Sequence, residues 1–115
     1  MPHFVYMLRC SGDRIYTGYA TDVEARYEQH VKGKGAKFTK AFPPVCILRQ
    51  FELESHEQAL RLEARIKMLP RQKKELLALG DKELADRLLA GLDETLEQKK
   101  VRERREKREK TSRDT

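Results

Sequence analysis

From Phe4 to Cys10 the chain alternates in a way that leaves neither face polar. Phe4, Tyr6, Leu8 and Cys10 share one face, and Val5, Met7 and Arg9 share the other. Such a run predicts a strand buried on both sides, in the middle of a sheet rather than at its edge. Ser11-Gly12-Asp13 is turn chemistry, and Arg14 to Tyr19 resumes the extended pattern, so the two segments predict a β-hairpin. A three-residue turn sets Cys10 opposite Arg14, Leu8 opposite Tyr16 and Tyr6 opposite Gly18. Tyr6 and Tyr16 then lie diagonally on one face, with open space beside Tyr6 where the glycine has no side chain.

Beyond the hairpin the period changes from two to between three and four. Thr21-Asp22-Val23-Glu24 reads as a capping box with Thr21 as N-cap, opening a helix to about Lys32. Val23, Tyr27 and Val31 form its apolar stripe, and Arg26 and His30 fall along the edge of that stripe, at the boundary between core and solvent. Residues Lys32 to Lys40 predict a glycine-interrupted basic loop, and Val45 to Leu53 a third strand. Ser55-His56-Glu57-Gln58 is a second capping box, starting a helix to about Leu69 whose core stripe is Ala59, Leu62, Ile66 and Leu69. Glu63 sits at the edge of that stripe. Pro70 ends this helix, a short one follows from Arg71 to Leu79, and Gly80 stops it. Leu84, Leu88, Leu92 and Leu96 then recur every four residues, predicting an amphipathic helix interrupted near Gly91. It has two available partners, the domain itself or a second copy of the chain in a homodimer through residues 81–96. From Glu97 only Val101 is apolar, which predicts a frayed helix running into a disordered end.

With 115 residues the chain has room for one core, read here as a domain over 1–80 with a helical, charged extension over 81–115. No apolar run approaches the ~20 residues that span a bilayer. The start, MPHFVYMLRC, lacks the basic and apolar regions of a signal peptide, so the expectation is a cytoplasmic protein without a membrane. Cys10 and Cys46 lie in apolar segments and are expected as buried, reduced thiols. The net charge of +6 is uneven. Residues 1–80 hold 14 Lys/Arg against 9 Asp/Glu, residues 81–96 hold 2 against 5, and residues 97–115 hold 9 against 5. The first block and the tail favour a polyanionic partner. In the basic loop Lys32, Lys34, Lys37, Thr39 and Lys40 are candidates to meet phosphate, although the GxxxxGK[ST] spacing of a P-loop is absent.

Taken singly, these side chains have ordinary explanations. Tyr6 reads as a core aromatic, Arg26 and His30 as a solvated edge, and Glu63 as one end of an i,i+4 pair with Lys67. Their order along the chain says more. Val5-Tyr6, Tyr16-Thr17-Gly18, Arg26 with His30, the GKGAKFT loop at 33–39 and Glu63 on the later helix together resemble the GIY-YIG nuclease domain, and within it the small single-domain bacterial members of the UPF0213 type. The resemblance covers residues 3–80. It departs from the family pattern at Phe4-Val5-Tyr6, at Thr17, and in the asparagine that many members carry after the glutamate helix, since this chain contains no Asn.

The resemblance implies an α+β fold, a three-stranded antiparallel sheet flanked by helices, that cleaves phosphodiester bonds in nucleic acid, expected to be DNA, with one Mg²⁺ or Mn²⁺. By the same resemblance Glu63 holds the metal, Tyr6 helps activate water, Tyr16 positions or shares a proton, Arg26 stabilises charge on the phosphorus centre, and His30 accepts the proton of Tyr6. Lys67 joins the basic loop as a nucleic-acid contact, and the role of the missing Asn falls to Lys67 or Lys74, or to no group at all. The chemistry is coherent on its own terms. A hard cation that dehydrates reluctantly needs one carboxylate plus water, and a phenol of pKa ~10 is a poor base unless a neighbour takes its proton. The alternative is a nucleic-acid-binding module with this fold and little catalysis.

Overall fold

The computed structural model describes residues 1–92 and, beyond them, Arg104. The chain runs β1 (His3–Cys10), β2 (Arg14–Ala20), α1 (Val23–Val31), α2 (Lys37–Ala41), β3 (Pro44–Leu53), α3 (His56–Lys67), α4 (Arg71–Ala78) and α5 (Lys82–Leu89). The three strands form one antiparallel sheet in the order β2-β1-β3. The doubly apolar strand β1 is thus the central one, as its pattern requires.

The turn spans Ser11 to Asp13, and Cys10 pairs with Arg14, Leu8 with Tyr16 and Tyr6 with Gly18. Gly12 and Asp13 both take positive φ, 74° and 60°, the conformation open to Gly and tolerated by Asp. Side chains from elsewhere hold this turn. Arg71 donates to the Asp13 carbonyl at 2.7 Å, and Arg9, which pairs with Asp13 at 3.2 Å, makes a bidentate pair with Glu75 at 2.7 Å on both arms. The hairpin tip is therefore tied to α4.

Alternation along β1 divides the core into two. Val5 and Met7 join Phe51, Leu53, Ala59, Leu62, Ile66, Leu77, Ala85, Leu88 and Leu92 under α3, α4 and α5. Tyr6, Leu8 and Cys10 join Ala20 and Val23 on the opposite face, under α1 and α2. The leucine stripe of 84–92 packs on the domain, since Leu88 and Leu92 are buried in the first cluster and Leu84 is packed against it. Leu96, the rest of the expected 81–96 interface and, apart from Arg104, the tail over 97–115 lie outside the described residues.

Several boundaries differ from the sequence expectation, each for a local reason. The N-cap of α1 is Asp22, not Thr21: the Asp22 carboxylate accepts from Ala25 N at 3.1 Å, a charge-assisted bond at the positive end of the helix. Val31, expected in the stripe of α1, is 55% exposed. Ser55 caps α3 as expected, but Gln58 accepts from Glu54 N rather than returning to the cap residue. The helix α3 stops at Lys67 and α5 at Leu89, with Gly91 at φ 70° just beyond. Cys10 is buried, whereas Cys46 is exposed on the edge strand β3, and both are free thiols. The basic loop is not all loop, because Lys37–Ala41 forms a five-residue helix. Nothing in its propensity demands that, for an isolated helix so short is unstable. Its reason is found in the site.

Candidate active site

The hairpin places Tyr6 on the α1 face, and the register puts Gly18 opposite it. A methyl group at residue 18 would stand 2.5 Å from Tyr6 Oη and 2.7 Å from Cζ, so the glycine is the space that the phenol occupies. Tyr6 and His30 are each only 1% exposed. His30 is therefore not at the edge of the α1 stripe but inside it, with Val31 turned outward in exchange. Burial follows from pairing, because each polar atom of the ring has a partner.

Tyr6 Oη and His30 Nε2 lie 2.8 Å apart, and His30 Nδ1 and Thr39 Oγ1 lie 2.7 Å apart. The direction of these bonds is assigned from the network. Thr39 donates its hydroxyl proton to the Ala36 carbonyl at 2.9 Å, so its oxygen accepts from His30 Nδ1–H. That leaves Nε2 unprotonated and accepting from the Tyr6 hydroxyl. Ala36 N–H also approaches Nδ1, but at 3.4 Å, and the shorter bonds decide the tautomer. Thr39 is 1% exposed. The hydroxyl expected at a phosphate is instead turned inward onto the imidazole, and this anchor, with Phe38 against Tyr16, is what holds α2 in helical form. Gly35 completes the enclosure: a methyl there would stand 2.1 Å from His30 Nδ1. Neither Gly35 nor the inward role of Thr39 is visible in local sequence pattern. A signal existed in the two closely spaced loop glycines, which allow backbone to close over a ring.

The electrostatics keep the pair neutral. Burial pushes the Tyr6 phenol well above its ordinary value of 10, Tyr16 adds to the rise, and Glu63 adds a smaller part. Arg26 beside it opposes the shift, by hydrogen bonding and by charge. Burial, followed by the positive charge of Arg26, pulls His30 below its usual 6.5. Tyr6 thus holds its proton and His30 lacks one, which is the state in which the imidazole can receive it.

Tyr16 is half-buried, its ring edge-on to Tyr6 at 6.2 Å and to His30 at 5.2 Å. Arg26 is half-buried and donates to Gln29 at 2.8 Å. Glu63 comes from α3, across the sheet edge; its side chain is 19% exposed and accepts from Lys67 at 2.9 Å. The i,i+4 pair is thus real, yet the carboxylate's charge is also felt by Tyr6. Structure brings Tyr6, Tyr16, Arg26, His30 and Glu63 into one electrostatic neighbourhood. Lys32, Lys34, Lys37 and Lys40 are exposed, and none has an ion pair among the described residues. Lys74 is half-buried on α4.

A divalent cation fits this donor set as a one-carboxylate guest. Among the described residues no three of His, Cys, Asp and Glu cluster as ligands. One partly exposed carboxylate, paired with a solvent-exposed lysine, suits a hard ion that keeps most of its water. Among the described residues, no helix is long and apolar enough to cross a membrane.

Residues 2–75 match the model of the GIY-YIG catalytic domain. UPF0213 proteins of Staphylococcus aureus strains Mu3 and Mu50 are each 50% identical to this chain over 72 residues, which cover 63% of it and 88% of their own length. A solution NMR structure of a UPF0213 protein from Bacillus halodurans is 39% identical, covers 83% of this chain and 100% of its own, and superposes with a TM-score of 0.47. A hairpin that sets a tyrosine against a glycine, followed by a family match spanning both and the glutamate helix, leaves one assignment: this chain belongs to the GIY-YIG nuclease family.

Proposed function

We propose that the protein is a divalent-metal-dependent endonuclease acting on DNA. The observation that carries this reading is the Tyr6–His30–Thr39 chain of bonds, a buried phenol whose proton has a neutral imidazole waiting 2.8 Å away. Water gives a proton to Tyr6 Oη while the phenol's own proton passes to His30 Nε2, and the hydroxide so formed attacks phosphorus as the P–O bond to the leaving oxygen breaks. Without that acceptor the desolvated phenol, its pKa raised, would be the wrong acid–base group for the task. Thr39 keeps the acceptor in its receptive tautomer. Tyr16 orients the water, and Arg26 releases Gln29 to neutralise charge growing on the phosphate. Glu63 would hold Mg²⁺ or Mn²⁺, whose chemistry is to neutralise the phosphate and the leaving oxygen. Lys32, Lys34, Lys37 and Lys40 supply sequence-independent attraction for the backbone, with a salt dependence to match. Lys67 is better placed to govern Glu63 than to meet phosphate.

The purified chain with Mg²⁺ should nick at least one member of a panel of duplex, branched and single-stranded DNA. EDTA should stop it, and Glu63→Ala should lose it while staying folded. Cleavage that survives EDTA, or a Glu63→Ala protein as active as the parent, refutes the reading. A second reading, binding without cleavage, is favoured by one fact, the absence of any Asn. It predicts tight binding and no products across the same panel.

A further inference from the structure

Beside Tyr16, the side chains of Phe38, Phe42 and Arg14 have no part in the proposed chemistry. Phe38, in the first turn of α2, leaves 37% of its surface open. Its ring stacks on Tyr16 with centroids 5.7 Å apart and planes 29° apart, and Phe42 leans against it at 5.1 Å and 54°. The Arg14 guanidinium lies over the Phe42 ring, 3.8 Å from its centroid. Three aromatic rings and a cation therefore form a continuous strip, which begins on the catalytic-face tyrosine and ends in solvent. Lys34, Lys37 and Lys40 stand exposed on the same segment of chain, without ion pairs among the described residues. Core packing explains the inner ring, because Tyr16 meets Tyr6 and His30. Packing on Tyr16 also accounts for one side of Phe38, but not for the part of that ring left open among lysines.

We propose that Phe38, flanked by Phe42 and Arg14, is a stacking platform for an unpaired nucleobase, so that the strand presented to Tyr6 is single-stranded, frayed or splayed beside the scissile phosphate. The proposal rests on the nuclease reading for the position of that phosphate, but not for the stacking itself. Open aromatic faces among cations are the physical form of single-strand recognition, because every base has a π-face to stack and every nucleotide a phosphate to attract. A base inside an intact duplex has both faces covered by its neighbours, so this strip offers duplex DNA little beyond charge. The ring contacts also set the order: a base on Phe38 lies beyond two rings, Phe38 and Tyr16, from the Tyr6–His30 pair. The helix α2 therefore serves both ends, since Thr39 orients the imidazole while its neighbour Phe38 presents the platform.

The test measures binding in EDTA, where no cutting interferes, with two fluorescent probes: a single-stranded oligonucleotide carrying 2-aminopurine, and a blunt duplex of the same sequence. Binding of the unaltered protein should quench the 2-aminopurine of the single strand, and bound single strand with no quenching overturns the proposal without any variant. Phe38→Leu, which keeps much of the packing on Tyr16, should weaken single-strand binding about tenfold and abolish the quenching. Its duplex affinity should change less than about twofold, and Phe38→Trp should restore single-strand binding. Equal loss on both probes, or no loss on the single strand, overturns the platform. The two readings fail separately. A protein that cleaves nothing but still shows the Phe38-dependent difference loses the nuclease assignment and keeps the platform. One that cleaves with Mg²⁺ regardless of Phe38 and of strandedness does the reverse.

Discussion

Replacing Thr39 by valine removes one hydroxyl and almost no volume, so it isolates what the Thr39–His30 bond does. Thr39 is buried, and its loss leaves His30 Nδ1–H without its 2.7 Å acceptor and the Ala36 carbonyl without its 2.9 Å donor. An unsatisfied buried donor costs roughly 1–3 kcal/mol. Two escapes exist. Either the ring keeps its tautomer and the fold bears that cost, or the proton moves to Nε2, where it points at Tyr6 and Nδ1 turns to accept from Ala36 N–H. In the second case His30 can no longer receive the phenol's proton, and regaining the productive tautomer costs about the same amount. The expected results are a fall in Tm on the order of 4–20 °C, or a cleavage rate lowered roughly 5- to 150-fold with less change in Tm. Imidazole ¹⁵N shifts distinguish the two, reporting an unprotonated Nε2 in the parent and a protonated one after the switch. Thr39→Ser, which keeps the hydroxyl, should stay close to the parent in both measurements. A parent protein whose His30 is protonated at Nε2, or a Thr39→Val protein with parental Tm and parental rate, refutes the reasoning.

Two further outcomes follow from the same pair. Gly18→Ala drives a methyl to within 2.5 Å of Tyr6 Oη. It should lower stability by about 1–3 kcal/mol through overpacking and also weaken the Tyr6–His30 bond. Gly33→Ala, which meets open space at φ 74°, should cost only about 1 kcal/mol from backbone strain, and chemical denaturation measures both. The pH dependence of stability should have two limbs. His30 titrates below its ordinary 6.5 in the fold, so its contribution is complete above about pH 6.5 and is lost as the pH falls towards the lowered value. Tyr6 titrates above its ordinary 10, so its contribution is complete below about pH 10 and is lost as the pH rises beyond it. His30→Gln should flatten the acid limb, and Tyr6→Phe the alkaline one, in Tm measured against pH. Cleavage should share the acid limb, since a protonated His30 cannot accept from Tyr6.

What could be read from the sequence divides along the line between local and tertiary causes. The hairpin register was legible because a three-residue turn and an uninterrupted alternation admit one pairing, and that pairing alone put Tyr6 beside Gly18 and Tyr16. The core stripe of α3 was legible from its period. The helix α2 was not, because five residues including Lys37, Phe38 and Thr39 have no helical signature and take that form only where Thr39 meets His30 and Phe38 meets Tyr16. The depth of His30 was hidden for a related reason. Periodicity places a residue on a helix face, but Gly35 and Thr39, which close over the ring, come from a different segment. Asp22 displaced Thr21 as the cap because two adjacent residues could each have capped the helix, and only the backbone path chose between them. Cys46 looked buried because its neighbours are apolar, whereas it lies on an edge strand facing out.

The central claim is that the phenol of Tyr6, backed by His30, activates the attacking water. Its most direct test is the single-turnover cleavage rate of Tyr6→Phe beside the parent, at saturating Mg²⁺ and on the best substrate of the panel. Removing the hydroxyl should slow cleavage roughly 10²- to 10⁴-fold, with DNA affinity unchanged within about twofold. A folded Tyr6→Phe protein that cuts within about threefold of the parental rate contradicts it.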